Sequence, residues 1–437
     1  MRRTQVLAVL AAALTAVEPG AAVRAALRRV GDELHVRGDV IDLGGIRRVL
    51  VVGGGKAGAS MAAALEEILG DRLDGGVVVV KYGYLAPTRL VKVREAGHPL
   101  PDASGVEATR AMLEMASGLS DRDLVFCVIS GGGSALMTLP VEGVSLGDLT
   151  TLTGLLLASG ATINEINTVR ACLDRVKGGG LARLLRPARV VSLILSDVVG
   201  NALDVIASGP TVARSASAAD AWRVLERYGL LPRAPASVVA ELGAQQGCGG
   251  SPVHPEHGPL RVDNVLVGSN AIAAEAAVAK AQELGFHGLL LSTFVEGEAR
   301  EIARFHVGIA RELLATGRPI ARPACVVVGG ESTVTLGEAH GQGGRNQEMA
   351  LSAALGIEGL DNVIIACLAT DGSDGPTDAA GALADGTTVA RAWAAGLDPV
   401  RHLAGHDAYP LFARLGDLLV TGPTNTNVND LTAVFAW

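Results

Sequence analysis

Aromatic side chains, basic charge and long apolar runs are all scarce in this chain of 437 residues. Aromatic residues make up 3% of the chain and its net charge is −8, so it lacks the basic surface that binds nucleic-acid phosphates. No apolar run reaches the roughly 18 uncharged residues that a membrane-spanning helix needs. We therefore expect neither a nucleic-acid partner nor a membrane.

Cysteine is also sparse, with five residues at wide spacings and no C-x-x-C pair. Such a set forms neither a disulfide framework nor a zinc site, so we expect a reducing cytoplasm. Most of the cysteines should pack as small apolar core residues. They are Cys127, Cys172, Cys248, Cys325 and Cys367.

An apolar stretch near the amino end runs from Val6 to Val17 and follows two arginines. A secretory signal has this pattern. A first helix that Pro19 ends has it too, with the next helix starting in "AAVRAALRRVGDEL". We favour the helix.

Glycine is abundant, at 56 residues, and short apolar β-branched runs alternate with alanine-rich stretches of helical pattern. Runs that are apolar throughout are typical of strands buried on both faces, so the alternation predicts an α/β fold with mainly parallel sheets. A Gly- and Pro-rich segment at 244–260 predicts a domain boundary, and its His254 and His257 are interpreted as solvated. The predicted strands are Val49–Val52, Val77–Val80, Leu124–Ile129, Val190–Leu195, Val262–Val267, Leu289–Ser292, Cys325–Val328, Val363–Ala369 and Leu418–Thr421, and helices include Gly58–Leu69, Ser104–Ala116 and Ala271–Leu284.

Six glycine- or polar-rich loops follow predicted strands. Parallel α/β folds bind ligands beyond the carboxyl ends of their strands, so these loops indicate one large site or a cleft between two domains. The loops are 53–58, 130–134, 196–201, 329–333, 370–375 and 421–427.

The first of these loops, "GGGKAG", satisfies G-x-G-x-x-G after a strand. A dinucleotide site also needs an acidic residue at the end of the next strand, where this chain has Lys81. An ATP-binding P-loop needs Ser or Thr after its lysine, where this chain has Ala57. What remains is a turn that places backbone N–H groups and Lys56 at a helix start, which predicts an anion site.

A second cation, Arg345, follows the glycines of "GQGGRNQE" at a predicted helix start. Its planar guanidinium suits a phosphoryl group, and Glu348 would hold it in place. Arg170 and Lys177 lie seven residues apart, which on a helix would place both on one face. A solvated basic face is the alternative interpretation.

Carboxylates follow two predicted strands. Asp197 and Asp371 are candidates for binding Mg²⁺ or for accepting a proton from a hydroxyl. Asp374 is equally well interpreted as a turn former, and the spacing of Asp371, Asp374 and Asp378 does not match a calcium loop.

Taken in order, these strings resemble the glycerate 2-kinases with a C-terminal MOFRL domain, some of which carry the older label hydroxypyruvate reductase. The resemblance runs from about residue 5 to residue 435. The strings that carry it are "VVGGGKAG", "GHPLPDASGVEAT", "VISGGGSAL", "NTVR…VKGGGLA", "SDVVGN…VIASGPT", "VGGESTVTL…GQGGRNQE", "ATDGSDGPTDAAGA" and "TGPTNTNVNDL".

The resemblance implies a Rossmann-like three-layer domain at 1–245 and a smaller α/β domain at 260–437, with the MOFRL region at about 322–435 and the active site in the interdomain cleft. It implies phosphoryl transfer from ATP to the 2-hydroxyl of D-glycerate, with Mg²⁺. Lys56, Asp197 and Arg345 would be catalytic, and Asp197 and Asp371 would bind the metal. Nucleotide and substrate would contact Gly53, Gly54, Gly55, Ser130, Gly131, Gly132, Gly133, Ser134, Arg170, Lys177, Glu331, Asp371 and Asn427.

Two places depart from the family pattern. Asn201 and Ala202 stand where the family commonly has two carboxylates, and Asp174 stands where a serine is usual. Mg²⁺ affinity and substrate preference are therefore less determined than the fold. The sequence also leaves the oligomeric state open, a homodimer included.

The rival function is an NAD(P)H-dependent hydroxypyruvate reductase. Such an enzyme needs a ribose-binding acid, which is missing, and a histidine that donates a proton, for which His98 is the candidate. A third alternative is a non-catalytic sugar-phosphate sensor, which would not need Asp197.

Overall fold

The computed structural model describes residues 2–213, 217–247, 260–337 and 340–437, so Cys248, His254 and His257 lie outside the described residues. The strands are β1 (Leu27–Val30), β2 (Glu33–Val36), β3 (Asp39–Asp42), β4 (Arg48–Gly54), β5 (Gly75–Lys81), β6 (Val91–Ala96), β7 (Asp123–Ile129), β8 (Arg189–Leu195), β9 (Val262–Gly268), β10 (His287–Glu298), β11 (Ala324–Thr333), β12 (Val363–Ala369), β13 (Gly381–Asp385), β14 (Leu418–Leu419) and β15 (Asp430–Ala436).

The α-helices are α1 (Arg2–Ala16), α2 (Pro19–Ala26), α3 (Gly58–Leu69), α4 (Ala103–Met115), α5 (Gly133–Leu136), α6 (Leu146–Ala158), α7 (Ile163–Leu173), α8 (Gly180–Leu184), α9 (Ala218–Arg227), α10 (Ala236–Gly247), α11 (Asn270–Glu283), α12 (Ala299–Thr316), α13 (Arg345–Gly356), α14 (Thr388–Ala394), α15 (Pro399–Ala404) and α16 (Ala408–Leu415). Short 3₁₀ turns lie at Gly70–Arg72, Val199–Asn201 and Ile206–Ser208.

The chain packs as two compact units. The N-terminal unit consists of residues 19–196 and 201–267, and the C-terminal unit consists of residues 2–18, 197–200 and 268–437. This division differs from the ranges 1–245 and 260–437, because α1 packs on α11 and β9 adds to the sheet of the N-terminal unit. The Gly- and Pro-rich composition at 244–260 therefore does not mark the point where the two units divide.

The N-terminal unit is built on a six-stranded sheet of order β6-β5-β4-β7-β8-β9. Parallel pairing joins its first five strands, and β5 and β7 are buried almost throughout. From β4 the chain adds β5 and β6 on one side of the sheet, and then returns to add β7 and β8 on the other side of β4. Doubly wound folds bind their ligands at this change in strand order, between β4 and β7. The predicted Rossmann-like arrangement is confirmed, and it places the loops after β4 and β7 side by side.

The same unit contains a small antiparallel sheet, β1-β2-β3, where the sequence predicts a helix. The helix α2 ends at Ala26 and the chain turns at Gly31, which has φ +62°. The apolar residues after this turn point alternately inward, as Leu34, Val36 and Ile41 show. That period of two fits a strand, and "AAVRAALRRVGDEL" is therefore helical only in its first part.

The C-terminal unit is built on a second six-stranded sheet, of order β10-β11-β15-β12-β13-β14. Only β10 and β11 are parallel, so the prediction of mainly parallel sheets is wrong here. An apolar run shows that a strand is buried but not which way its neighbour runs. The last strand, β15, lies antiparallel between β11 and β12, so its first residue Asp430 pairs with Gly330 and Ala369 near the ends of those strands.

The predicted strands and the three predicted helices are confirmed, with small shifts of their ends. The segment 329–333 was predicted as a loop but continues β11 as far as Thr333. The strands β6, β13 and β15 are not among the strands predicted from the sequence. Cys127, Cys325 and Cys367 are fully buried, as core cysteines should be.

The helix predicted at the amino end is α1, and its Val6, Val9 and Ala13 are fully buried. The Arg2 guanidinium lies 5.0 Å from the ring centre of Trp437, beside the last strand. Among the described helices, none is alone long and apolar enough to cross a membrane, and α1 and α2 reach that length only as a pair with a break between them.

Candidate functional site

The glycine loop after β4 is shaped by its neighbours in the sheet. Gly55 has φ +140°, and a Cβ at this position would lie 2.1 Å from Ser130 Oγ. Only glycine lets the end of β4 approach the loop after β7 this closely. The glycines of "GGGKAG" therefore serve the packing of two adjacent strand ends.

The backbone N–H groups of this loop are already used inside the protein. Four consecutive donors are satisfied: Gly55 N by Val79 O (3.0 Å), Lys56 N by Gly131 O (2.9 Å), Ala57 N by Ser130 Oγ (3.0 Å) and Gly58 N by Gly55 O (3.0 Å). The expectation that these amides cradle an anion is thus wrong in this structure. The side chain of Lys56 remains as the cation that this loop presents.

Unused amides lie instead in the neighbouring loop after β7. The N–H groups of Gly131 and Gly132 donate to no other group in the part of the chain that the structure describes. Gly132 is left-handed, with φ +82°, and a Cβ there would lie 2.9 Å from the His98 ring. Ser134 follows, and its hydroxyl lies 2.8 Å from that of Ser208. Ser208 gives its own hydrogen to Asn167 Oδ1, so Ser134 donates to Ser208. This loop can bind an oxyanion through its two unused amides.

His98 lies between two lysines that make this part of the unit positive. Burial, followed by the charges of Lys56 and Lys81, lowers the pKa of His98 to about 4. The imidazole is therefore neutral at pH 7. Lys56, Lys81 and the amides after β7 together form what we call the anion-binding corner of the N-terminal unit.

Arg170 and Lys177 do not share a helix face, because α7 ends at Leu173. Lys177 is 2% exposed, and its Nζ lies 2.6 Å from Asp174 Oδ2 and 3.3 Å from Met137 O. Burial lowers its pKa to about 8. Lys177 thus holds the backbone just after α5.

Burial also lowers the pKa of Arg170, against the opposing effect of Asp174. Arg170 and Lys177 line a cavity of about 20 Å³, which is large enough for a water molecule only. Lys177 therefore bonds within the protein, and Arg170 borders the same small cavity.

In the C-terminal unit, Arg345 begins α13 directly after Gly344, as predicted. Its guanidinium binds both oxygens of Asp430, with Nε 2.6 Å from Oδ2 and Nη2 3.0 Å from Oδ1. Nη1 donates to Glu331 Oε1 at 3.1 Å. Glu348 was expected to hold Arg345, but it pairs with Arg300 instead. Residues three apart on a helix can pair, but Arg345 is held by Asp430 and Glu331 on β15 and β11, outside α13.

Carboxylates surround Arg345 in excess. The pKa of Glu331 is raised mainly by burial and also by the nearby charges of Asp430 and Asp197, while Arg345 lowers it. Asp374 accepts from Asn346 N at 3.0 Å and from Gln347 N at 2.8 Å, so it caps the start of α13. Because it is 2% exposed, burial raises the pKa of Asp374 to about 6.

The remaining predicted residues lie on loops of the same unit. Asp371 Oδ1 accepts from Ser373 N at 3.1 Å, and Asn427 Oδ1 accepts from Asn429 N at 3.1 Å. No three side chains of His, Cys, Asp or Glu within the described ranges are grouped so as to hold a metal ion. Asp197 lies within electrostatic range of Glu331, two residues after β8.

Arg345 and Asp371 line a cavity of about 380 Å³ within the C-terminal unit. This volume falls in the range of about 300–1,000 Å³ that small-molecule sites occupy. Its wall also contains His406 and Glu348, which the sequence analysis did not bring together.

Three functional candidates escaped the sequence analysis. Asp430 was visible only as the last residue of "TNVND", and no spacing rule links it to Arg345. Lys81 entered the sequence analysis only because it stands where a dinucleotide site needs an acidic residue. A lysine at a strand end can itself bind an anion. His406 stands alone in "LAGHDA", where nothing in the sequence indicates a partner.

Comparisons with known proteins agree with this architecture. Residues 5–243 match a family described as a domain of unknown function, DUF4147, and residues 324–430 match the MOFRL family. A glycerate 2-kinase of Pyrococcus horikoshii is 44% identical to this chain over 96% of the chain and 94% of its own length. A putative hydroxypyruvate reductase of Agrobacterium vitis is also 44% identical, over 89% of this chain and 87% of its own.

A solved structure has the same fold. The crystal structure of glycerate kinase from Thermotoga maritima superposes with a TM-score of 0.89 at 40% identity, covering 99% of both chains.

Proposed function

The chain belongs to the glycerate 2-kinase family, and from this premise we propose that it transfers the γ-phosphoryl group of ATP to the 2-hydroxyl of D-glycerate. The observation that carries the proposal is the anion-binding corner, where two lysines and two unused amides meet at the reversal point of a parallel sheet. Phosphoryl transfer requires mainly positioning and neutralisation of charge, which such a corner supplies.

In the N-terminal unit, we assign Lys56 to the charge on the transferring phosphoryl group or the substrate carboxylate. The amides of Gly131 and Gly132 would donate hydrogen bonds to the same anion, while Ser134 donates to Ser208 and so holds the loop in place. Gly53, Gly54, Gly55, Ser130 and Gly133 act indirectly, since they let the two loops pack together. Lys177 is bonded to Asp174 and to Met137 O, so we assign it to holding the backbone after α5, and Arg170 remains a candidate for contacting the nucleotide or the substrate.

In the C-terminal unit, we assign Arg345 to the phosphoryl oxygens. A guanidinium has five donor hydrogens, and Asp430 and Glu331 receive three of them, so two remain for a ligand. The two carboxylates fix the plane of the guanidinium in advance. A preorganised donor loses less entropy when the ligand binds.

Mg²⁺ fits the oxygen-rich surroundings of Arg345. Glu331, Asp430 and Asp197 lie near the single guanidinium of Arg345, and a cation would relieve this excess of carboxylates. Mg²⁺ takes oxygen ligands and needs only one or two carboxylates, and we propose Asp197 and Asp371 for this role. When bound, Mg²⁺ would neutralise charge on the phosphate oxygens. Asn427 would line the ligand-binding surface beside Asp371.

We assign the proton of the 2-hydroxyl to the Asp197 carboxylate. The hydroxyl oxygen forms a bond to the γ-phosphorus, the bond between that phosphorus and the β–γ bridging oxygen breaks, and ADP leaves. Asp197→Asn should reduce turnover while the protein still binds ADP. Unchanged turnover in this variant would remove Asp197 from the reaction.

The neutral state of His98 counts against the reductase alternative. A reductase needs a protonated group beside the reacting carbonyl, whereas the pKa of His98 is lowered to about 4. The end of β5, where a dinucleotide site would have an acid, presents Lys81. The buried thiols of Cys127, Cys325 and Cys367 support a reducing location, and we propose the cytoplasm.

The test supplies purified protein with D-glycerate, ATP and Mg²⁺ and couples the product to enolase alone. Enolase accepts 2-phosphoglycerate and not the 3-isomer, so a signal establishes both the transfer and its position. ADP formation without an enolase signal would contradict phosphorylation of the 2-hydroxyl. Absence of ADP, together with NAD(P)H oxidation by hydroxypyruvate, would replace the proposal by the reductase.

A further inference from the structure

The cavity of about 380 Å³ in the C-terminal unit has apolar walls. They are formed by Val334, Leu336, Pro376 and Ala408. Leu336 is 51% exposed, so its side chain is accessible to a ligand in the cavity. A flat ring is one kind of ligand that such walls can enclose.

The charges on the cavity wall disfavour a small anion. Arg345 is the only Lys or Arg among the described lining residues, which also include three carboxylates. These are Asp371, Asp374 and Glu348, of which Glu348 is paired with Arg300. Without a bound cation such as Mg²⁺, a free carboxylate or phosphate would be repelled on balance, whereas an uncharged ring and hydroxyl groups would not. The cavity therefore favours the nucleoside part of a nucleotide over D-glycerate.

A histidine on the cavity wall contacts a carboxylate and a guanidinium through the same ring nitrogen. His406 Nδ1 lies 2.7 Å from Glu348 Oε2 and 3.2 Å from Arg300 Nη2, and the Glu348 side chain is only 4% exposed. Arg300 also anchors Glu348, with its Nη2 2.8 Å from Oε1. An ionised carboxylate only accepts hydrogen bonds, so the shorter contact, to Glu348, assigns the proton to Nδ1. In this tautomer Nε2 carries no proton and is a hydrogen-bond acceptor.

We propose that this cavity binds the nucleoside of the phosphoryl donor and that Nε2 of His406 accepts a hydrogen bond from the 6-amino group of adenine. This inference rests on the proposed kinase function and names a recognition site for its donor. Hypoxanthine and guanine carry a carbonyl oxygen at position 6 instead of an amino group. This oxygen and Nε2 of His406 would be two acceptors facing each other, which disfavours binding. The site thus selects adenine nucleotides.

The rim of the cavity also offers a contact for ribose. Oδ1 of Asp371 accepts from Ser373 N, whereas Oδ2 accepts no hydrogen bond from any described residue. A carboxylate that binds Mg²⁺ through one oxygen can accept from a ribose hydroxyl with the other, so this contact is compatible with the metal role proposed for Asp371. Leu336 and Pro376 would contact the base itself.

The test measures the binding of ADP and inosine diphosphate by titration calorimetry, with Mg²⁺ present and no turnover. Wild-type protein should bind ADP at least about tenfold more tightly than inosine diphosphate. One hydrogen bond gained with ADP and one acceptor–acceptor repulsion avoided are enough for such a ratio. His406→Asn removes the imidazole without backbone strain, because residue 406 has φ +52° and asparagine tolerates that region. This variant should bind the two nucleotides about equally.

His402→Asn is the matched control, since His402 bonds to the Asp407 backbone and does not line the cavity. It should keep the preference of the wild type. Leu336→Ser changes an exposed wall residue that the fold does not require, and should weaken both nucleotides by a similar factor.

Two results would overturn the inference: equal binding of the two nucleotides by the wild type, or an unchanged preference in His406→Asn. The kinase function fails separately. If selectivity depends on His406 but D-glycerate yields no product, the nucleotide site stands and the proposed acceptor is wrong. If the product forms while the preference ignores His406, the kinase stands and the assigned cavity is wrong.

Discussion

Arg345 and Asp430 form a two-pronged ion pair, although 85 residues of sequence separate them. Asp430 is the first residue of the strand that lies between β11 and β12, and Arg345 is the first residue of α13. The pair therefore ties a helix start to the middle of the sheet. It also orients the guanidinium that we assign to phosphoryl transfer.

Asp430→Asn should destabilise the C-terminal unit. The change removes the charge that compensates a half-buried arginine, and breaking a fully buried pair costs about 3–5 kcal/mol. Because the Arg345 side chain is 33% exposed, we expect a smaller loss of about 1–3 kcal/mol in the free energy of unfolding. Urea denaturation measures it.

Glu331→Gln is the control for that variant. Glu331 is 43% exposed and shares a single hydrogen bond with Arg345, so its removal should cost less than about 1 kcal/mol. Equal losses in the two variants would show that the bidentate geometry contributes nothing of its own.

Lys56→Ala should lower the turnover of D-glycerate by about 10²–10³-fold, as the loss of one preorganised charge does in other enzymes. The fold should survive, because no packing contact of the loop depends on the ammonium: the amides of residues 55–58 are held by backbone and Ser130. Steady-state kinetics and thermal unfolding test both parts. Lys92→Ala, at an exposed position of β6, should leave turnover unchanged. Near-wild-type turnover in Lys56→Ala would remove this residue from the mechanism.

His98 should titrate far below the usual range for histidine, near pH 4, by NMR of the ring protons. Between pH 4 and 6.5 the unfolded chain binds more protons at this residue than the native protein does, so His98 makes stability rise with pH in this window. His98→Asn should remove that part of the slope. Lys81→Met should raise the His98 midpoint, since one of the positive charges that oppose protonation is lost. A midpoint near 6.5 in the wild type would contradict the described surroundings of His98.

Asp174→Ser should destabilise the N-terminal unit by about 3–5 kcal/mol, since it leaves the buried ammonium of Lys177 without its carboxylate. The double variant Asp174→Ser with Lys177→Met should recover most of that loss, because no uncompensated charge remains. Denaturant unfolding of the two single variants and the double variant measures the coupling. Additive losses would mean that the 2.6 Å pair is energetically unimportant.

Much of the framework follows from local pattern alone. Continuous apolar runs such as Val77–Val80 predict buried strands, because only strands covered on both faces can be apolar throughout. The alternation with alanine-rich helices then predicts the α/β class, and glycine followed by Arg345 predicts the start of α13. These features depend on neighbours within one or two turns of chain, which the sequence displays directly.

Which strands pair with each other across a sheet does not follow from local sequence patterns. The segment 430–436 lies between β11 and β12 because that is where its apolar residues find cover on both sides, and this choice depends on the whole unit. The same choice decides that Asp430, and not Glu348, holds Arg345.

The sequence by itself therefore determined many of the buried strands and helices, the loops that carry glycine and charge, and the likeness of its motifs to one enzyme family. Only the tertiary structure decided which groups in those loops are available to a ligand. Two of the four amides after β4 donate to the loop after β7, the Lys177 ammonium donates to Asp174, and His406 Nδ1 lies against Glu348 and Arg300. Hydrogen bonds of this kind join residues far apart in the chain, and they form only once packing brings those residues within about 3 Å.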